Sequence, residues 1–297
     1  MNNSYGEPEI EGSDLVHEAL MYEQEPEPPP RRQPHLGYAL AFGAMALVLA
    51  PLMLGAIVGV GIAAGWLPKN ALRHLMDFPR VTVFTNLGGT LAALFLAWGL
   101  FGWMWKRPFW QVLQWNADAV RGRVGKLFMT GLAASIAATA VEHFLTLPKE
   151  MPIDAFFHSR AAIWALTVYG VVVAPLFEET LFRGMLLPAV AMAIDWFRRE
   201  PVDEDEVWRH GISRRAIAIS AVVTSFAFAA MHAMQLGFAW NAVMVLWGVG
   251  LLLAWVRLHY DALAASVCVH AAYNGTLFAV MFFATNGFRN LDALTKH

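Results

Sequence analysis

Two adjacent carboxylates, Glu178 and Glu179, stand with Arg183 in a stretch from Ala161 to Trp196 whose first half is almost wholly apolar. His232, His270 and Asn274 sit in two later apolar stretches. An ionised side chain at the middle of a bilayer costs about 2.5 to 3.5 kcal/mol on insertion scales, so such groups point first to a working site. On a helix, Glu179 and Arg183 are four apart and share a face with the acid N-terminal, the favourable order for an ion pair. Glu178 points about 100° away and has no partner within its own helix. One acid is thereby neutralised and the other stays available for chemistry. The structural alternative is a buried Glu179–Arg183 salt bridge with Glu178 as a bystander. Pro175 has no N–H, so the carbonyl of Val171 is expected to lose its helical partner and the helix to kink just before the acids.

The chemistry these residue types suit is hydrolysis. Cleaving an amide or ester needs a base to take a proton from water and donors ready for the oxyanion. Glu178, desolvated and unpaired, fits the base. His232, with Phe228 one turn earlier on the same face, can orient or share the water. His270 and Asn274 are four apart, share a face and can both donate to an oxyanion. No Gly-x-Ser-x-Gly or His-Glu-x-x-His is present, so neither the serine-hydrolase nor that zinc-protease pattern applies. Glu178, His232 and His270 would also suit zinc, as a carboxylate and two imidazoles with a fourth position for water. In that case Glu178 is occupied as a ligand and a different base is needed. Asn274 fits better beside His270 as an oxyanion donor than as support for a metal. The expectation is therefore that no cofactor is required, with zinc as the alternative.

These groups need apolar helices to hold them. Of 297 residues, 58% are hydrophobic and 15% charged, and runs of about 20 apolar residues are each long enough to cross ~30 Å of hydrocarbon. The fold class is all-α, a polytopic membrane protein of about seven transmembrane helices (six to eight), with the site between the later ones. The expected spans are 37–67, 81–105, 127–147, 161–196, 216–234, 238–256 and 262–284. The fourth would be about 54 Å long at 1.5 Å per residue, more than one crossing, so its second half must project from the bilayer or break at Pro188. Residues 106–126 mix Phe109, Trp110 and Trp115 with five cations, which suits either an interfacial helix or a solvated loop. Measured from the basic helix ends, Glu178, His232 and His270 lie at depths of about 30, 25 and 20 Å, close enough for one layer.

The ends differ in kind. Residues 1–30 carry eight acids, no Lys or Arg, and a Pro-rich end, a composition unable to bury enough apolar surface to fold. The expected organisation is a disordered acidic tail over 1–35, a transmembrane domain over 36–285 with a motif-bearing core from 161, and a short tail over 286–297. Thirteen Lys and Arg on one side of the spans against seven on the other favour a cytoplasmic N-terminus, for which the cell membrane is the expected location. A net charge of -2 speaks against nucleic acid as a partner. The single Cys268 excludes an intrachain disulfide.

Taken in order, Glu178-Glu179-x-x-x-Arg183, Phe228-x-x-x-His232 and His270-x-x-x-Asn274 resemble the three motifs of the CPBP family of intramembrane proteases. That family includes the type II CAAX prenyl endopeptidases and bacteriocin-processing or immunity-related bacterial members. The longer first motif, Glu-Glu-x-x-Phe-Arg-Gly, is matched through Phe182 and Gly184. The resemblance covers residues 161–285. It implies an intramembrane endopeptidase with Glu178, His232, His270 and Asn274 in the catalytic set and Glu179, Arg183 and Phe228 in support. The implied partners are a peptide or membrane-protein substrate and the lipid bilayer. Two other classes place similar groups at mid-membrane. A proton-coupled transporter is expected to show repeated halves or paired broken helices, and neither is evident. A non-catalytic scaffold or immunity protein has no need for the intact polar set.

Overall fold

The structure, a computed structural model, describes residues 34–73, 78–146, 148, 151–198, 207–209 and 211–291. The expected tail up to residue 33, the acidic run 203–206 and residues 292–297 lie outside the described residues. Within them are seven helices long and apolar enough to cross a membrane. These are α1 (Leu36–Ala63), α2 (Pro79–Trp105), α3 (Val124–Glu142), α4 (Arg160–Arg198), α5 (Arg214–Met231), α6 (Trp240–Tyr260) and α7 (Leu263–Ala284). The only strand pairing among the described residues is antiparallel, Val207–Arg209 with Ile212–Ser213, just before α5.

The helix α4 is the axis of the site. At 39 residues it is about 58 Å long, and it runs through Pro188 without a break. Its last turns pack on α5 and the strand pair. Asp195 near its end accepts the backbone N–H of Ser213 (2.8 Å) and its hydroxyl (2.6 Å), while that hydroxyl oxygen caps α5 by accepting from the N–H of Ala216 (3.1 Å). Two wide turns interrupt α4, over Tyr169–Val173 and Thr180–Leu186. There the ladder is i→i+5: the N–H of Ala174 donates to the carbonyl of Tyr169, and that of Leu187 to Phe182. Wide turns of this kind concentrate at functional sites. Here they bracket the six residues Ala174–Glu179 that carry both acids.

Packing around α4 fixes the remaining helices. Phe42 of α1 lies against Phe177, with ring centroids 4.9 Å apart. One apolar cluster joins Phe42, Phe101, Leu113, Phe182, Met185, Phe228 and Leu263. The 106–126 connection divides, with residues 115–118 and 121–126 exposed and its earlier part turned inward. It makes one helical turn, Phe109–Val112, and sends Phe109 and Leu113 into the core. Phe109 stacks on Trp105 at 5.7 Å, and Leu113 abuts Gly184 of α4. The segment is tied down at Gln114, whose carbonyl accepts the N–H of Leu263 (3.0 Å) and whose side chain bonds Arg257. On the other side α7 lies along α3. At Gly131 the two backbones touch: a Cβ there would sit 2.4 Å from the carbonyl oxygen of Val269, so no residue with a side chain allows this approach. That contact sets the position of the helix carrying His270 and Asn274.

Candidate active site

The polar residues of α4, α5 and α7 meet in one layer, with a backbone carbonyl from α6. Glu179 is fully buried, and its Oε1 accepts both Arg183 Nη1 (2.9 Å) and His270 Nδ1 (3.0 Å). Arg183, 2% exposed, donates through Nη2 to the carbonyl of Gly250 on α6 (2.8 Å). Its guanidinium carbon lies 4.6 Å from the centroid of the Phe228 ring on α5, within reach of the cation–π attraction. One ion pair therefore ties four helices together. The i,i+4 pairing expected from sequence is present, and it reaches further than its own helix.

Glu178, one residue earlier, has a different setting. Its side chain is 12% exposed, with Oε1 3.9 Å from His232 Nε2 and Oε2 3.7 Å from His270 Nε2. Both separations exceed a direct hydrogen bond and suit groups that share a water. The far nitrogens set the tautomers. His232 Nδ1 is 2.9 Å from the carbonyl of Phe228, and His270 Nδ1 is 3.0 Å from the Glu179 carboxylate. Both partners are acceptors only, so each Nδ1 carries a hydrogen. Both Nε2 atoms thus face Glu178, and a water able to donate suits this set of groups. His232 is not inside a helix as the sequence reading had it. It caps the C-terminus of α5, which ends at Met231, and its ring satisfies a carbonyl of the last turn.

Asn274 takes a place the sequence did not indicate. Its Nδ2 donates to the carbonyl of Gly170 at 2.6 Å. Because the ladder at Tyr169–Val173 runs i→i+5, the carbonyl left without a donor by Pro175 is that of Gly170, and not that of Val171. Phe228 lies under the whole cluster, with ring centroids 5.0 Å from His232, 5.7 Å from His270 and 5.4 Å from Phe182. Six of the seven expected site residues are linked by these contacts, and Asn274, one turn beyond His270 on α7, is held instead by the Gly170 carbonyl. Four further residues join them. Gly170 and Gly250 offer carbonyls. Ser266, fully buried, borders Glu179. Tyr169 lies within electrostatic reach of Glu178, its hydroxyl 3.4 Å from that of Thr90. Pro175 was a signal that some carbonyl stood open. Nothing in sequence marks a glycine carbonyl on another helix.

The donor types of Glu178, His232 and His270 suit zinc. Among the described residues, no set of three His, Cys, Asp or Glu side chains is already placed to hold a metal ion.

Residues 160–276 match the family model described as type II CAAX prenyl endopeptidase Rce1-like. The match covers all three motifs, and over that segment the likeness to the CPBP proteases is shown. No curated protein and no solved structure matches the chain significantly. The match supports a membrane protease, consistent with seven candidate spans and an integral, multi-pass placement.

Proposed function

We propose that the protein is an intramembrane endopeptidase that hydrolyses a peptide bond with a water activated by Glu178. The observation that carries this reading is the setting of the Glu178 carboxylate, at 3.7 and 3.9 Å from two imidazole nitrogens, beside a glutamate that is wholly sealed.

A water between Glu178 and His232 gives its proton to the carboxylate while its oxygen attacks the scissile carbonyl carbon. His232, held at Nδ1 by the Phe228 carbonyl, offers Nε2 as an acceptor that orients the water's other hydrogen. The carbonyl oxygen becomes an oxyanion. Asn274 has a second N–H for it beyond the one given to Gly170, and His270 supplies a donor from Nε2 when protonated. Donors held in place before the reaction are worth more than mobile ones because they need no reorganisation in a water-poor site. Glu178 then returns the proton to the leaving nitrogen, and the C–N bond breaks. Glu179 and Arg183 take no part in proton transfer; they hold His270 and the helix.

The substrate class that suits the family match is a peptide segment of a membrane-anchored protein, CAAX-like in the sense of a prenylated cysteine near its C-terminus. The test is membrane proteomics of cells expressing the wild-type protein or Glu178→Gln at equal abundance. New termini should appear with the wild type and be missing with the variant. The same termini in both samples would refute the reading.

A further inference from the structure

We infer that Pro175 and Gly170 are positioning residues for Asn274: by withholding a backbone donor, Pro175 leaves the Gly170 carbonyl to dock the Asn274 amide and so aims that amide's second N–H into the site. This rests on the proposed proteolytic reading for its catalytic part and on geometry alone for the contact.

In an i→i+5 turn the residue that pairs with the carbonyl of Gly170 is residue 175. The preceding pair, Ala174 N–H to Tyr169, is present, and the next is chemically impossible at a proline. A carbonyl left open in an apolar setting has to find another donor. It finds Asn274 on α7 at 2.6 Å. Since a carbonyl only accepts, the atom facing it is the amide nitrogen, and the orientation of the Asn274 side chain is determined. One N–H is used. The other, fixed in the same plane, projects from the same nitrogen. Asn274 lies one helical turn beyond His270, and Pro175 three residues before Glu178. The same interaction therefore ties the acid-bearing segment of α4 to the donor-bearing face of α7. Gly131, which lets α7 approach α3, acts on the same helix from the other side.

The consequence is a specific coupling. Restoring an N–H at position 175 gives Gly170 a backbone donor, whether the turn stays wide or tightens so that Ala174 serves it. The Asn274 amide is then released. Four proteins are compared in detergent or nanodiscs: wild type, Asn274→Ala, Pro175→Ala and the double variant. Thermal unfolding is measured for each, together with kcat and KM on a quenched fluorogenic peptide bearing a farnesylated cysteine three residues from its C-terminus. Asn274→Ala alone should lower Tm by roughly 3 to 10 °C, because it strands the Gly170 carbonyl. Pro175→Ala should leave Tm unchanged or raised, and in the double variant it should recover most of the loss. Pro175→Ala should also lower kcat roughly 10- to 100-fold at little-changed KM, as a misaimed donor does. The double variant should be no slower than Asn274→Ala. A Tm loss that persists in the double variant, or kcat losses that multiply, would overturn the inference. If the wild type cleaves no peptide, the protease reading fails, and the Tm cycle still decides whether Pro175 and Asn274 compete for one carbonyl.

Discussion

Glu178 and Glu179 are neighbours in the chain and opposites in the fold. Glu179 is sealed: Arg183 and His270 share its Oε1, Gly250 takes the far end of the guanidinium, and Phe228 covers the guanidinium's face, while Oε2 is buried with no hydrogen-bond partner. Around Glu178 there are only approaches, two imidazoles beyond hydrogen-bond distance and a side chain that keeps 12% of its surface. The difference follows from one residue of helical rotation. It also divides the work of a hydrolytic site, because a sealed carboxylate held in an ion pair makes a good anchor and a poor base. A base needs a vacancy for the atom it will deprotonate. His270 belongs to both regions, with Nδ1 on the sealed acid and Nε2 on the open one.

The comparison is broken most severely at the sealed acid. Glu179→Ala leaves Arg183 charged and buried without its counter-ion, and removing one partner of a buried pair costs about 3 to 5 kcal/mol. Folded protein in the membrane should fall sharply, with activity falling alongside it, as measured by abundance and by unfolding in detergent. Full abundance with normal unfolding would show that the anchor is no anchor.

On the open side, His232→Ala should separate the two measurements. It removes a group that orients water, an effect of about 10²- to 10⁴-fold on kcat. Its backbone stays at the end of α5, where the ring contributes one hydrogen bond to the Phe228 carbonyl. Unfolding should therefore shift by no more than a few degrees. A stability loss as large as that of Glu179→Ala would erase the distinction between the regions.

The smallest effect is expected from metal removal. Prolonged chelation of the purified protein should leave cleavage of the farnesylated reporter unchanged, and metal analysis should find no stoichiometric ion. Loss of activity on chelation with recovery on adding zinc would reassign Glu178, His232 and His270 as ligands and leave the open acid without its role as base.

Much of this was legible before any coordinates. Run length and composition specify seven apolar helices, because transfer of 20 apolar residues into hydrocarbon is favourable wherever they come to rest. The Glu179–Arg183 pair follows from i,i+4 geometry on a single helix. The three motif segments follow from the cost of retaining ionisable groups in apolar runs. Each is a property of one segment and its solvent. What only the tertiary structure decided concerns partners on different helices. In a bilayer the lipid-facing and core-facing sides of a helix are both apolar: in α1, Phe42 is fully buried and Leu47 is 78% exposed, and hydrophobicity does not tell them apart. The same ambiguity hid the inward course of Phe109 and Leu113. Whether the α4 ladder runs i→i+4 or i→i+5 at Tyr169 is likewise set by packing and not by local propensity. That choice moved the open carbonyl from Val171 to Gly170 and so determined where Asn274 binds.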